Sequence, residues 1–333
     1  MASTKLATTK SVAISVLLMV VAGFAPAIVM GALGWKSAVS LAMLGGLATF
    51  LAGTMGRGWH TGLVIAVPFS TTAGLVVWAA PVPIVAAIAL GIVAFLRGYG
   101  AKVGLQNALI MCVIALGFIV ATPPTFNTSV PTPILAGIIM LVTTLWVTLV
   151  MFTARRWVHP PKLAPIETTR VLWFSSILAI MVGLATWLIV ELKLGHGGGW
   201  IILTIVVVYQ PDLGDGFKKV GGRILGTLVG FLLAVIVGLV VSNGPVLYLL
   251  GTICLVIAMN AMATGKPYWL FTAFMTPAIV LYDSAGSTVS KVALERLEAT
   301  LVGLGIVLIF MLALVLLVNR FPSTTRANPG TYV

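Results

Sequence analysis

Apolar runs of about 15–22 residues follow one another along the whole chain, and no other feature limits its fold so tightly. A helix needs about 20 apolar residues to cross the hydrocarbon core of a bilayer. In lipid every backbone polar group must be satisfied within the helix or within a closed barrel. A barrel would alternate apolar and polar residues in shorter segments, and these runs do not alternate. The pattern therefore predicts an all-α, polytopic membrane protein. The 8% of charged residues agrees, since a soluble domain carries roughly a quarter.

Twelve spans are expected, near 12–33, 38–55, 60–79, 83–97, 103–121, 134–153, 171–190, 198–211, 223–242, 245–264, 268–283 and 298–319. Lys5 and Lys10 precede a first run that resembles a signal peptide, but the many later spans favour an uncleaved first helix. If the N-terminus is cytoplasmic, 15 basic residues fall inside and four (Lys36, Lys193, Lys291, Arg296) fall outside. Cytoplasmic loops carry such an excess, so both termini are expected in the cytoplasm. The same topology accounts for the net charge of +12 without a nucleic-acid partner. Cys112 and Cys254 lie in apolar segments and read as packed thiols.

A basic, proline-containing linker, ARRWVHPPKLAPIETTR (154–170), separates a first six-span half (1–153) from a second (171–320), with a cytoplasmic tail at 321–333. The halves share faint echoes: Gly34-Trp35 and Gly199-Trp200, Arg57 and Arg223, Thr61 and Thr227. A stronger repeat lies inside the second half. VVVYQPDLGDGFKKVGGRILGTLVG (206–230) aligns without gaps over IVLYDSAGSTVSKVALERLEATLVG (279–303), 73 residues later. Three spans separate the copies, an odd number, so the copies face opposite ways. That predicts a three-plus-three inverted repeat, a recurrent design in transporters.

At helical spacing Arg223, Thr227 and Gly230 share one face, as do Arg296, Thr300 and Gly303. Gly222, Gly226 and Gly230 form GxxxGxxxG, which lets helices approach closely in lipid. Guanidinium pairs bidentately with carboxylates and keeps its charge. The pair of arginines therefore reads as an anion-attracting mouth at each end of a pathway, or more plainly as two helix anchors. Within the first copy, in the loop YQPDLGDGFKKVGGR (209–223), Gln210, Asp212 and Asp215 are expected in a polar cytoplasmic turn that lines a gate or merely turns the chain. Glu298, expected in the first turn of the last helix, and Asp212 are candidates for proton coupling; Glu191, Asp283 and Glu295 read as a solvated rim. Gln106, Asn107 and Asn260 are polar residues in or near apolar segments. The three histidines are scattered, and no spacing of metal ligands or catalytic groups points to an enzyme or a cofactor.

Trp200, then Gln210-Pro211, then Arg223, Gly226, Thr227 and Gly230 opening the next span resemble the fusaric acid resistance (FUSC) and aromatic acid exporter family. The resemblance is clearest over 195–310. It implies a bacterial inner-membrane exporter of organic anions, aromatic carboxylates in particular, driven by the proton gradient. Arg223 and Arg296 take the part of the family's anion-attracting residues. A periplasmic adaptor and a second copy of the chain are the protein partners it implies. Plant aluminium-activated malate channels, distant relatives, make a passive anion channel the alternative; a membrane assembly protein is another. Many members carry a cytoplasmic domain between their halves, where this chain has only 154–170. The first half also lacks the second arginine motif, having SVPTPILAG (129–137) there.

Overall fold

The computed structural model describes residues 18, 20–157, 165–241, 243–263, 265–283 and 288–320. Lys5, Lys10, His159, Lys162, Arg326 and the tail 321–333 lie outside the described residues. The described chain is helical and without strands. A π-turn, Val20–Phe24, leads into α1 (Ala25–Ala32). Then follow α2 (Lys36–Met55), α3 (Trp59–Ala79), α4 (Pro83–Tyr99), α5 (Ile110–Ala121) and α6 (Thr132–Thr153). The second half holds α7 (Thr168–Glu191), α8 (His196–Val208), α9 (Leu213–Val240), α10 (Gly244–Ala263), α11 (Tyr268–Asp283) and α12 (Val289–Arg320). Among the described residues seven helices, α2, α3, α4 with its 3-10 extension, α6, α7, α9 and α12, are long and apolar enough to cross a membrane. The other apolar helices are shorter. Large apolar side chains such as Val64, Trp173, Leu239 and Ile309 point outward, as a lipid-facing surface requires.

Three boundaries depart from the sequence reading, each for a physical reason. α9 begins at Leu213 rather than near 223, because Asp212 caps it: its side chain accepts a hydrogen bond from the Asp215 backbone N–H at 3.1 Å. The charged, glycine-rich stretch after Asp212 is therefore helix and not a turn. α12 begins at Val289, nine residues before the expected 298, because Val289 and Ala293 pack into a buried cluster with Ala234 and Leu281. α5 begins at Ile110 rather than 103, because a 3-10 turn (Gly100–Val103) ends at Gly104, whose φ of 77° stops the helix.

Small residues set how the helices meet. A Cβ on Gly222 would stand 3.0 Å from the Tyr268 ring, and one on Gly230 would stand 2.7 Å from both the Ala273 carbonyl and Thr276. Gly226 leaves room for the Thr272 hydroxyl and the Trp269 carbonyl. The predicted GxxxGxxxG face is thus the contact of α9 with α11, and the two helices run parallel. On α12, Gly303 lies against Thr204 and the Ile201 carbonyl of α8. α9 also packs on α12, where Gly216 meets Met311 and Gly238 meets Val289, so these two run antiparallel. In the first half Gly62 meets Thr148 and Gly74 meets the Pro133 carbonyl, so α3 and α6 are antiparallel. Gly45 meets Met140 and Gly53 meets Met151, so α2 and α6 are parallel. Gly91 and Gly98 of α4 meet Ala179 and Ser175 of α7, an antiparallel contact that joins the halves. One buried cluster runs through both halves, from Leu41 and Leu90 to Ile202 and Val307.

These contacts predict a graded response to one methyl group. A Cβ on Gly305 would meet nothing within 4 Å, whereas the space at Gly226 is filled by α11. Gly305→Ala should leave the folded yield in membranes unchanged, since alanine favours helix. Gly226→Ala overpacks the contact, at a cost of about 1–3 kcal/mol, and should lower both yield and the melting temperature in detergent. Equal behaviour of the two variants would contradict the α9–α11 packing.

Candidate anion site

The site is built on the antiparallel pair α9 and α12. The contacts Gly216–Met311 and Gly238–Val289 are equally spaced on the two helices, which fixes their register. In that register Thr227 is level with Thr300. Arg223 lies one turn to one side of the threonines and Arg296 one turn to the other. The two arginines stand about 12 Å apart along the helix axes, from the rise of 1.5 Å per residue. All four side chains are buried, at 3% (Arg223), 2% (Thr227), 3% (Arg296) and 1% (Thr300) exposure.

Burial of a guanidinium costs several kcal/mol unless something compensates it. Arg296 is compensated in part by an aromatic face: its guanidinium carbon lies 3.8 Å from the Trp200 ring centroid, a favourable cation–π contact. Trp200 is held in turn edge-on to Phe118, 4.6 Å away, with His196 completing the aromatic group. The Arg223 Nε has no hydrogen-bond partner among the described residues, nor do the hydroxyls of Thr227, Thr300 and Thr276. Buried polar groups are normally satisfied, so these atoms form a set of unused hydrogen-bonding positions around two fixed positive charges. The arrangement can hold a small anion whose oxygens accept from guanidinium and hydroxyl.

The expectation that Arg223 opens its helix and that Arg296 precedes its own is corrected. Arg223 lies within α9, ten residues past its first, and Arg296 lies within α12, seven past its first, because both helices begin earlier than their apolar runs. Arg57 does not take the corresponding position. It is exposed in the turn between α2 and α3, where its backbone N–H donates to Thr61 Oγ1 at 2.7 Å. Gly58, with a φ of 67°, makes that turn. Gln210 closes the end of α8, its Nε2 donating to the Val207 carbonyl at 2.8 Å. Glu298 is exposed in α12 and directed away from the face of Arg296 and Thr300. An apolar groove of about 670 Å³ between α3 and α6, lined by Val67, Trp78 and Ile134 among others, holds none of the basic residues.

A second basic group was not singled out by sequence. Arg97, at the end of α4, is only 2% exposed. Its position at the end of an apolar run looked like an ordinary loop charge. Its Nε donates to the Gln106 carbonyl at 3.2 Å.

An all-helical, multi-pass membrane protein with a basic interior is the class that fold and site define. Residues 178–310 match the fusaric acid resistance protein-like family, and this match supports the FUSC family for the chain, resting on its second half. An uncharacterized protein of Synechocystis sp., slr1298, is 33% identical over 113 residues, which is 33% of this chain and 15% of that protein. The chain thus covers a small part of that relative's length. No solved structure matches it.

Asp212 supplies the prediction for this region. Its carboxyl is held below the usual carboxylate range, first by the Asp215 backbone N–H and then by Arg170, whose Nη2 lies 2.7 Å from Oδ2. Because the folded pKa is depressed, the stabilisation is present above the unfolded pKa and lost as pH falls through the folded one. Asp212→Ala should therefore be less heat-stable than wild type by a constant margin from pH 5 to 8, with the gap closing below about pH 4. A gap that persists unchanged at low pH would show that the carboxylate is not what caps α9.

Proposed function

We propose that the chain is a bacterial inner-membrane exporter of organic anions, aromatic carboxylates in particular, that uses the proton gradient. The observation that carries the reading is the pair of buried guanidiniums on antiparallel helices, each one turn from a buried, unused hydroxyl. The Arg223 Nε, without a partner among the described residues, leaves a donor that an anion can use. The family resemblance supports transport and supplies the aromatic class.

The same reading takes all twelve helices as spans. Helices three apart in the chain (α3–α6, α4–α7, α9–α12) run antiparallel, and helices two or four apart (α9–α11, α2–α6) run parallel. One crossing per helix produces this alternation, and it includes the shorter helices. The basic bias supports cytoplasmic termini. Helices α7, α8 and α9 also correspond in order and spacing to α10, α11 and α12 at the 73-residue offset. Gly230 rests on α11 beside Thr276, and Gly303 rests on α8 beside Thr204. Exchange of partners between two units of opposite direction supports the three-plus-three inverted repeat and, with it, alternating access.

The test is efflux of labelled 4-hydroxybenzoate from cells with matched amounts of folded protein. Arg223→Lys should lose part of the transport, because the charge remains without the bidentate fork. Arg223→Gln and Arg296→Gln should each weaken apparent affinity about ten- to hundredfold, as loss of a hydrogen bond to a charged group predicts. Wild-type affinity in both glutamine variants would reduce the arginines to anchors. Flux that an uncoupler leaves untouched would make the path a channel.

A further inference from the structure

Arg97 is a buried cation with no counter-ion among the described residues. Its Nη1 has no hydrogen-bond partner there. The carboxylates at this end of the bundle are Glu167, Asp212 and Asp215, and all three are exposed. Asp212 is paired with Arg170 and Asp215 with Lys218, both at the surface. A second cation adds to the problem. Lys219 is half-buried and close enough to Arg97 for the two charges to repel. Its Nζ lies 6.0 Å from the ring centroid of Tyr268, whose hydroxyl is buried and without a partner among the described residues. A fully buried guanidinium with a second positive charge in its range, and with its own Nη1 and the Tyr268 hydroxyl unused, is costly. They make sense around a bound anion.

The rest of the surroundings are aromatic. The Arg97 guanidinium carbon lies 5.4 Å from the Phe174 ring centroid, and Phe174 stacks on Tyr209 at 5.3 Å. The group is assembled from both halves of the chain: the end of α4, the start of α7, the end of α8 and the starts of α9 and α11. Lys219 lies one turn before Arg223 on the face of α9 that continues to Thr227.

We propose that Arg97, Lys219 and the Tyr268 hydroxyl form a second anion site, taking the carboxylate of a flat aromatic acid before it passes to Arg223. The proposal rests on the reading that the chain carries such anions. Two sites in sequence let an anion bind at each without being trapped at either.

The experiment is equilibrium binding of labelled benzoate to the purified full-length chain in nanodiscs of uncharged lipid. Wild type should bind two benzoates per chain. Arg97→Gln should remove one of them and leave the other, while Arg223→Gln should remove the other. Because Arg97→Gln disturbs a buried position, Lys219→Gln provides a second reading at a partly exposed one: it should weaken one site about tenfold with the melting temperature of the free protein unchanged. Two sites of unchanged affinity in both Arg97→Gln and Lys219→Gln overturn the proposal, whatever Arg223→Gln does. One site per chain, lost in Arg223→Gln alone, also overturns it while leaving the proposed function standing. Loss of binding in Arg97→Gln with no benzoate efflux from cells would keep the site and remove the exporter reading. Inorganic phosphate competing as well as benzoate would refute the aromatic carboxylate assignment.

Discussion

The structure depends on helices approaching closely through small residues in a medium with no hydrophobic drive to bring them together. In lipid, contact has to come from shape. Gly222, Gly226 and Gly230 let α9 lie on α11, and Gly303 lets α12 lie on α8. Those contacts determine what becomes of the arginines. Arg223 and Arg296 stand on the same helical faces as the glycines, so the close approach carries both guanidiniums out of reach of bulk water. A looser contact would leave them at a wet edge, where an arginine is merely an anchor.

Charge then takes over as the second constraint. The chain holds 19 basic residues and seven acidic ones, and the ion pairs of Asp212 with Arg170 and of Asp215 with Lys218 use exposed carboxylates. Arg296 lies against the Trp200 ring in a cation–π contact. Interior positive charge is an expensive way to build a membrane protein, and an anion that enters from outside the chain would relieve the cost. The same logic applies separately to Arg223 within α9 and to Arg97 at the end of α4.

Much of this was legible in the sequence. Helix type followed from the apolar runs, and most helix ends fell within a few residues of the expected ones. The face of Arg223, Thr227 and Gly230 and its counterpart on α12 were readable from spacing alone. What the sequence hid were starts of helices that lie outside the apolar runs. The stretch from Leu213 to Arg223 has four glycines and three charges besides the arginine, a loop composition by any propensity. It is helical because Asp212 caps it and because Gly216 and Gly222 are contact residues. Arg57 misled for the converse reason: it precedes an apolar run as Arg223 seemed to do, but Gly58 turns the chain there. Arg97 left almost no signal, since burial at the end of a helix depends on Gln106 and the Phe174 ring of α7 lying against it.

The central claim is that two helices of opposite direction each present a buried arginine to one pathway. Single cysteines in place of Arg223 and Arg296, in a chain with Cys112 and Cys254 changed to serine, test it directly with a membrane-impermeant thiol reagent. The account predicts that Arg223→Cys is labelled from the cytoplasmic face and Arg296→Cys from the outer face. Labelling of both from the same face would contradict it.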